Sequence, residues 1–247
     1  MQKPCLGLDT VVEPIRRTPL FVGIALLGIT VVIGLLGKMQ PEYLVESFRV
    51  NQWLHQNLSP AFDPIANLLH IVFTPPGAIA TLVIAGGLIW LITRRPWYSL
   101  QFVVTAGLGW VTTGIFKPIF REPRPPMRGL CPIVNTDPCP HLPGYEVGYN
   151  SFPSGHTAFM ASLVVTTIVV LASTWITRRW LMVLGAILVI SMAVSRLYLG
   201  VHYLADVVGG ILAAIGTVLI VNWAWQRYFP FGPTDLAARR GRSTRDR

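Results

Sequence analysis

A histidine and an aspartate near the C-terminal end of the chain have the spacing of a catalytic pair. His202 and Asp206 are four residues apart, so they share one face if the segment is helical. The carboxylate then accepts a hydrogen bond from one imidazole nitrogen, which fixes the tautomer and leaves the other nitrogen free as a nucleophile or base. The alternative is a partly buried pair that satisfies only itself.

Three basic residues can supply positive charge around this pair. Lys117, Arg124 and Arg196 outnumber the nearby acids, Glu122 and Asp206, each of which could pair with one cation. Arginine suits phosphate because its planar guanidinium donates two parallel hydrogen bonds, and lysine adds a point charge. A surplus of cations in a half-buried pocket therefore predicts an anionic substrate.

A Pro-Ser-Gly-His segment adds a second anion-binding element. Ser154 has the side chain of an N-cap, Gly155 allows a ligand to approach the backbone, and the apolar run after His156 predicts a helix. Free amides at a helix N-terminus bind anions. Taken alone, the segment is more typical of an ordinary cap and turn, so its interpretation depends on its neighbours.

Membrane helices are the elements that must position these residues. The chain has 247 residues, of which 52% are hydrophobic and 13% charged, and its mean hydropathy is +0.54. Soluble domains carry about 25% charged residues, so this composition excludes a disordered chain and disfavours a soluble one. Six apolar runs approach the roughly 20 residues that span a bilayer; they cover residues 20–37, 77–93, 99–116, 157–176, 180–199 and 203–225. We predict an all-α bundle of six transmembrane helices, because open sheet edges do not survive in lipid.

The first apolar run could also be the apolar region of a signal peptide, since Arg16 and Arg17 precede it. The run is long for that role, and no small-x-small cleavage site follows it. We interpret it as a retained helix of a single integral membrane domain that covers residues 1–247.

Basic residues predict the orientation of the bundle. Most of the 20 lysines and arginines lie on the cytoplasmic side if the N-terminus is cytoplasmic. Residues 1–18 and the basic tail 227–247 are then cytoplasmic, and 38–76 and 117–155 are extracytoplasmic. The tail is better explained by anchoring to anionic lipid than by nucleic acid, because it is short and has no interleaved aromatic residues.

This orientation brings polar residues of four predicted helices to one face of a cell membrane. Ionisable residues at such positions are costly and by default indicate a functional site. Chance placement would scatter them over both faces, so we favour catalysis over a His–Asp pair that satisfies only itself. The residues are Lys117, His156, Arg196, His202 and Asp206.

The segment between the first two spans differs from them. Residues 43–58 alternate apolar and polar side chains, which predicts a helix at the outer membrane interface. Residues 63–73 predict a short apolar helix that ends before Pro75 and Pro76. The remaining histidines have no neighbouring motif residues of the kind described above, and we interpret them as structural or incidental. They are His55, His70 and His141.

Two cysteines lie in the outer loop with seven residues between them. Cys131 and Cys139 can form a disulfide if this loop faces an oxidising compartment, and the sequence leaves the pairing open. A metal site with His141 lacks a fourth ligand and the usual C-x-x-C spacing, so we predict no metal. Residues 126–152 could gate the site or select a headgroup, and this also stays open.

The polar residues form a three-part pattern that resembles the signature of the type 2 phosphatidic acid phosphatase (PAP2) superfamily. That superfamily includes membrane lipid phosphatases, glucose-6-phosphatase and soluble vanadium haloperoxidases. The resemblance covers residues 117–206, with no gap in spacing and no substituted motif residue. Its three parts are Lys117-x6-Arg124-Pro125, Pro153-Ser154-Gly155-His156 and Ser195-Arg196-x5-His202-x3-Asp206.

The resemblance implies a PAP2/haloperoxidase-like helical core and a role for each motif residue. His202 is the nucleophile that becomes phosphohistidine, and Asp206 orients it. His156 protonates the leaving oxygen and then activates water. No cofactor is implied. The phosphate-binding residues are Lys117, Arg124, Ser154, Gly155 and Arg196.

The implied activity is metal-independent hydrolysis of a lipid phosphate or diphosphate at the extracytoplasmic face. Undecaprenyl diphosphate, phosphatidylglycerophosphate and phosphatidic acid are the candidate substrates, and the signature does not choose among them. One alternative is a phosphotransferase that passes the phosphoryl group to another lipid. A transporter or membrane scaffold is the alternative from another class. The oligomeric state stays open.

Overall fold

The structure, a computed structural model, describes residues 17–125, 150–172 and 175–229. These ranges contain helices and no strands, which confirms the all-α prediction. A 3-10 turn, Pro60–Phe62, precedes the third helix. The α-helices are α1 (Thr18–Met39), α2 (Pro41–Asn57), α3 (Asp63–Val72), α4 (Pro75–Thr93), α5 (Pro96–Phe120), α6 (Gly155–Leu171), α7 (Trp175–Tyr198) and α8 (Leu204–Tyr228).

Five of the described helices are long and apolar enough to cross a membrane, and the chain is a multi-pass membrane protein. They are α1, α4, α5, α7 and α8. Helix α6 is apolar but has only 17 residues, so a sixth span stays a prediction. The predicted end of the fourth run at Ile176 is wrong, because Ala172 has an extended backbone and Ile176 belongs to α7. No glycine or proline marks this boundary in the apolar sequence.

Helices α2 and α3 lie where the sequence predicts the two extramembrane helices, and both hold the turn between α7 and α8. Asn51 of α2 is fully buried, and its amide donates to the carbonyls of Leu197 (2.9 Å) and His202 (2.8 Å). The Tyr198 hydroxyl donates to Asp63 at the start of α3. These polar contacts fix α2 and α3 against the end of the bundle; their depth at a membrane interface stays a prediction.

Small residues allow α8 to pack closely against its neighbours. A Cβ atom added at Gly216 would lie 2.8 Å from the carbonyl oxygen of Gly23 in α1. At Gly210 it would lie 2.5 Å from the carbonyl oxygen of Ser154, and at Gly209 it would overlap the ring of Phe152. Close backbone approach at small residues is a usual means of packing membrane helices. It places the segment before α6 directly on the first turns of α8.

We expect Gly23→Ala to destabilise the bundle and Gly28→Ala not to. A Cβ atom at Gly23 would lie 2.7 Å from both Gly216 O and Ile220 Cγ1, whereas at Gly28 nothing lies within 4 Å. Overpacking costs about 1–3 kcal/mol, and the better helix propensity of alanine offsets up to about 1 kcal/mol. Thermal unfolding of purified protein in detergent compares the two variants of the same helix. Equal midpoints would contradict the close contact between α1 and α8.

Candidate active site

The structure brings the residues of the three-part pattern to one end of the bundle, where α5 and α7 end and α6 and α8 begin. Lys117 interacts electrostatically with Asp206 and Arg124. His156 interacts in the same way with Arg196 and with His202. One group of residues therefore joins the ends of four helices, as the sequence predicts.

His202 and Asp206 form the centre of this group. His202 Nδ1 lies 3.0 Å from Asp206 Oδ2, and the same oxygen accepts from Tyr203 N at 2.9 Å and from the Ser151 hydroxyl. An ionised carboxylate only accepts hydrogen bonds, so Nδ1 carries the proton and Nε2 keeps its lone pair. The sequence motifs do not include Ser151, because it contacts Asp206 only through the fold.

The environment keeps His202 neutral. Its side chain is 3% exposed, and burial lowers the pKa to about 4, although the bond to Asp206 acts in the opposite direction. Lys117 and Arg124 lower it further. At neutral pH the ring is therefore an uncharged imidazole with a free lone pair, which is the form that a nucleophile requires. The turn that carries it includes Gly200, whose φ of 63° favours glycine.

Ser154 and Gly155 form the start of α6. Ser154 is the N-cap residue, but its side chain makes no capping bond to the backbone; its hydroxyl lies 3.0 Å from the Thr157 hydroxyl instead. Its backbone N–H donates to the Asp206 carbonyl at 2.9 Å, which fixes the start of α6 on α8. The first amides of a helix have no partner within the helix, and this end carries its positive partial charge. The start of α6 can therefore bind an anion beside His202.

Arg196 is a buried cation without an acidic partner among the described residues. Its side chain is 0% exposed and donates to His70 Nδ1 (2.8 Å), to the Ala66 carbonyl (3.1 Å) and to Ser195 Oγ (3.2 Å). All three acceptors are uncharged if His70 is neutral. An uncompensated charge in such a place is strongly unfavourable. The site is therefore built to receive an anion.

The other two cations come from the end of α5 and the segment after it. Lys117 Nζ donates to the carbonyl of Asn150 at 2.6 Å, so it fixes the residues that lead into Ser151. Arg124 is half-buried and acts electrostatically on Lys117, His70 and His202. Both cations contribute to the positive potential around His202.

His70 lies in the site, although the sequence suggests that it is structural or incidental. Its ring stacks on that of His156, with centroids 5.3 Å apart and an interplanar angle of 18°. His70 Nδ1 accepts from Arg196, which requires a neutral ring, and burial followed by the charge of Arg196 lowers its pKa. The carbonyl of His70 lies 3.2 Å from His156 Nε2, so that nitrogen carries a proton. Only the packing of α3 against α7 could reveal these contacts.

Glu122 does not pair with a cation as the sequence suggests. Its side chain is 2% exposed, and no group among the described residues donates to either carboxyl oxygen. Burial, followed by the charge of Asp206, raises its pKa to about 9. Glu122 is therefore a protonated carboxyl group at neutral pH. Asp206 bonds to His202, Ser151 and Tyr203 instead of forming a simple ion pair.

The remaining sequence predictions concern metal binding, His55 and the outer loop. In the described part of the chain, no group of three or more His, Cys, Asp or Glu side chains is arranged to hold a metal ion. His55 contacts the ring of Tyr198 and takes no part in the site. Cys131, Cys139, His141 and most of the outer loop lie outside the described residues, as do residues 1–16 and the tail after Phe229.

Two solved structures have the same fold. One is the first transmembrane PAP2 type phosphatidylglycerolphosphate phosphatase from Bacillus subtilis, with a TM-score of 0.65, 16% identity, and coverage of 84% of this chain and 98% of that one. The other is Aquifex aeolicus LpxE, with a TM-score of 0.50, 20% identity, and coverage of 72% and 94%. No curated protein shows significant similarity to this chain.

The family comparison covers the motif residues of the site described above, whereas His70 lies outside the matched range. The PAP2 superfamily model matches residues 97–230, which include α5 to α8 and every motif residue from Lys117 to Asp206. This range is more than half of the chain. With the helical fold shared with a transmembrane PAP2 type phosphatase, the match shows that this chain belongs to the PAP2 superfamily.

Proposed function

We propose that the chain is a metal-independent phosphatase that hydrolyses a lipid phosphate or diphosphate through a phosphohistidine intermediate. The observation that carries the proposal is Arg196, a fully buried cation without an acidic partner among the described residues, beside two histidines. The similar structure from Bacillus subtilis is that of a phosphatidylglycerolphosphate phosphatase, which supports this class of substrate. The bias of basic residues supports an extracytoplasmic site.

The two histidines divide the two halves of the reaction between them. In the first half, the Nε2 lone pair of His202 forms a bond to phosphorus, and the bond from phosphorus to the leaving oxygen breaks. His156, an imidazolium once the anionic substrate is bound, gives a proton to that oxygen and becomes neutral. In the second half, neutral His156 accepts a proton from water, the hydroxide oxygen bonds to phosphorus, and the N–P bond breaks. Free phosphate, neutral His202 and the His156 imidazolium are regenerated.

Phosphoryl transfer depends mainly on positioning and charge stabilisation. The N-terminal amides of α6, with Ser154 and Gly155, face the phosphoryl oxygens in this proposal, together with Lys117, Arg124 and Arg196. These groups supply positive charge in a site with little water, where it is most effective. The proposal therefore requires no metal ion.

Two single variants, His202→Ala and His156→Ala, test the proposal. We expect His202→Ala to reduce phosphate release from lipid phosphates to background, because the N–P bond cannot form. His156→Ala should lose about 10²- to 10⁴-fold, and less with p-nitrophenyl phosphate, whose leaving group needs no protonation. The assay uses purified protein in detergent with excess EDTA, and His55→Ala is the matched control. Near-normal turnover in both variants would overturn the assignment.

The same assay identifies the substrate and the acceptor. Phosphatidic acid, phosphatidylglycerophosphate and undecaprenyl diphosphate are compared by kcat/KM. Reaction in ¹⁸O-water distinguishes hydrolysis, which labels the released phosphate, from transfer, which gives an unlabelled phosphorylated lipid.

The protonation of His202 gives a prediction that needs no substrate. We expect its ¹⁵N signals to show a neutral ring with the proton on Nδ1 until the pH falls through about 4. An exposed histidine titrates near about 6.5, and His202→Asn assigns the signals. Since the pKa is lowered in the folded state, acidification from about 6.5 towards about 4 protonates only the unfolded chain and lowers the free energy of unfolding. Titration near the ordinary value would contradict the burial of the His202 ring.

His70 gives a further prediction, because it accepts a hydrogen bond from Arg196. His70→Phe keeps a ring beside His156 but removes the acceptor. A hydrogen bond to a charged group contributes about 1.5–3 kcal/mol, so we expect kcat/KM to fall about 10-fold or more. The KM for the phosphate substrate should rise, since Arg196 loses its orientation. Kinetics equal to those of His55→Ala would show that the contact between His70 and Arg196 has no role.

A further inference from the structure

We propose that Glu122 is a positioning residue that orients Asp206, and through it His202, by a proton shared between two buried carboxyl groups. Glu122 lies in the first motif but is not one of its signature residues; it follows the end of α5 by two positions. Its side chain lies against α1, where a Cβ atom at Gly37 would be 2.6 Å from Glu122 Oε2. The inference rests on the proposed role of His202.

One of the two carboxylate oxygens of Asp206 has no hydrogen-bond donor among the described residues. Asp206 Oδ2 accepts from His202 Nδ1, from the Ser151 hydroxyl and from Tyr203 N, whereas buried Oδ1 has no donor among the described residues. Both carboxyl oxygens of Glu122 are likewise buried without a donor among the described residues. Buried acceptors without donors are expensive, so three of them at one place require an explanation.

A single proton explains all three. Two ionised carboxylates only accept hydrogen bonds and repel each other, but a protonated carboxyl group donates one. The Glu122 carboxyl group lies within electrostatic and hydrogen-bonding reach of Asp206. With the proton on Glu122, its O–H donates to Asp206 Oδ1, so that both oxygens of the Asp206 carboxylate accept hydrogen bonds.

The proton belongs on Glu122 rather than on Asp206. Burial, then the charge of Asp206, raises the pKa of Glu122 to about 9. Asp206 Oδ2 already accepts three hydrogen bonds, so Asp206 is the acceptor of the pair. Dyads of two carboxyl groups that share a proton are a known response to close carboxylates.

The backbone carbonyl of Glu122 fixes the segment that carries Ser151. Its carbonyl accepts from Asn150 N and Ser151 N, both at 2.9 Å, and Ser151 in turn donates to Asp206. These main-chain bonds remain when the side chain is replaced. Variants at position 122 therefore test the carboxyl group and not the path of the loop.

The other charged groups around Glu122 are the same in each variant. Lys117 and Arg124, from the end of α5 and the segment after it, act on His202, and Lys117 also acts on Asp206. His202 lies in the turn before α8, and Asp206 lies in the first turn of α8. Helix α1 contributes Gly37 and, next to it, Lys38, whose amine donates to the Ile119 carbonyl at 3.4 Å. A difference in alkaline behaviour between wild type and a Glu122 variant thus reports on Glu122.

The decisive comparison is between Glu122→Gln and Glu122→Ala. The glutamine amide donates to Asp206 as the protonated carboxyl group does, so we expect kcat within about 3-fold of wild type, the scale of a partly preserved hydrogen bond. Glu122→Ala leaves Asp206 Oδ1 without a donor, and misplacement of the nucleophile should lower kcat about 10- to 100-fold, with a smaller change in KM. Glu46→Gln, at an exposed glutamate that pairs with Arg49, is the matched control.

The pH profile separates positioning from a structural role. In the wild type, activity should fall as the pH rises through about 9, because Glu122 loses its proton and two carboxylates then face each other. In Glu122→Gln this contribution is absent, so activity should persist to higher pH. Equal loss in the glutamine and alanine variants, or an unchanged alkaline limb in Glu122→Gln, would overturn the proposal.

A spectroscopic readout keeps the test independent of substrate and of the proposed function. The ¹⁵N and ¹H shifts of the His202 Nδ1–H group report its bond to Asp206. We expect them to be preserved in Glu122→Gln and displaced in Glu122→Ala. If no lipid phosphate is hydrolysed but these shifts follow the prediction, the proposed function fails and the shared proton stands. If hydrolysis occurs and the shifts are equal in all variants, the shared proton fails.

Discussion

The positive charge of Arg196, buried at the end of α7, is the constraint on which the site depends. A guanidinium group at 0% exposure loses its hydration, and among the described residues it receives only neutral acceptors in return. The fold must therefore be stable enough to hold an unfavourable charge in place. In the proposed function, the same charge becomes favourable when a phosphoryl group enters, since charge-assisted hydrogen bonds then replace neutral ones.

Packing elsewhere in the bundle maintains this arrangement. Small residues on α8 allow α1 and the segment before α6 to approach its backbone. Half of the apolar stretch of α8 is buried, against 22% of that of α1. Asn51 fixes the α7–α8 turn from outside, and Asp63 fixes α3 through Tyr198. The two histidines are thus positioned by helix ends that are held from several directions, so their geometry does not depend on a single loop.

The sequence alone predicts a large part of this arrangement, because motif spacing and apolar runs are local properties. The helical class, the apolar segments and the convergence of Lys117, His156, Arg196, His202 and Asp206 at one end follow from such patterns. The end of α6 does not follow, because no glycine, proline or charged residue marks the break at Ala172. His70 and the protonated state of Glu122 depend on contacts between distant segments, and those contacts determine whether a polar residue is paired, neutral or charged.

The length of α6 has a consequence for how a lipid reaches the site. At a rise of 1.5 Å per residue, its 17 residues extend about 26 Å, which is less than the roughly 30 Å thickness of the hydrocarbon layer. As the predicted sixth span, α6 would require the bilayer to thin locally, or would begin or end below the surface at which its longer neighbours end. If it begins below that surface, the proposed phosphate-binding amides lie nearer the acyl chains than they would at the start of a longer helix. In the proposed reaction, a headgroup would then reach them while its tails remain in the leaflet, without extraction of the whole molecule.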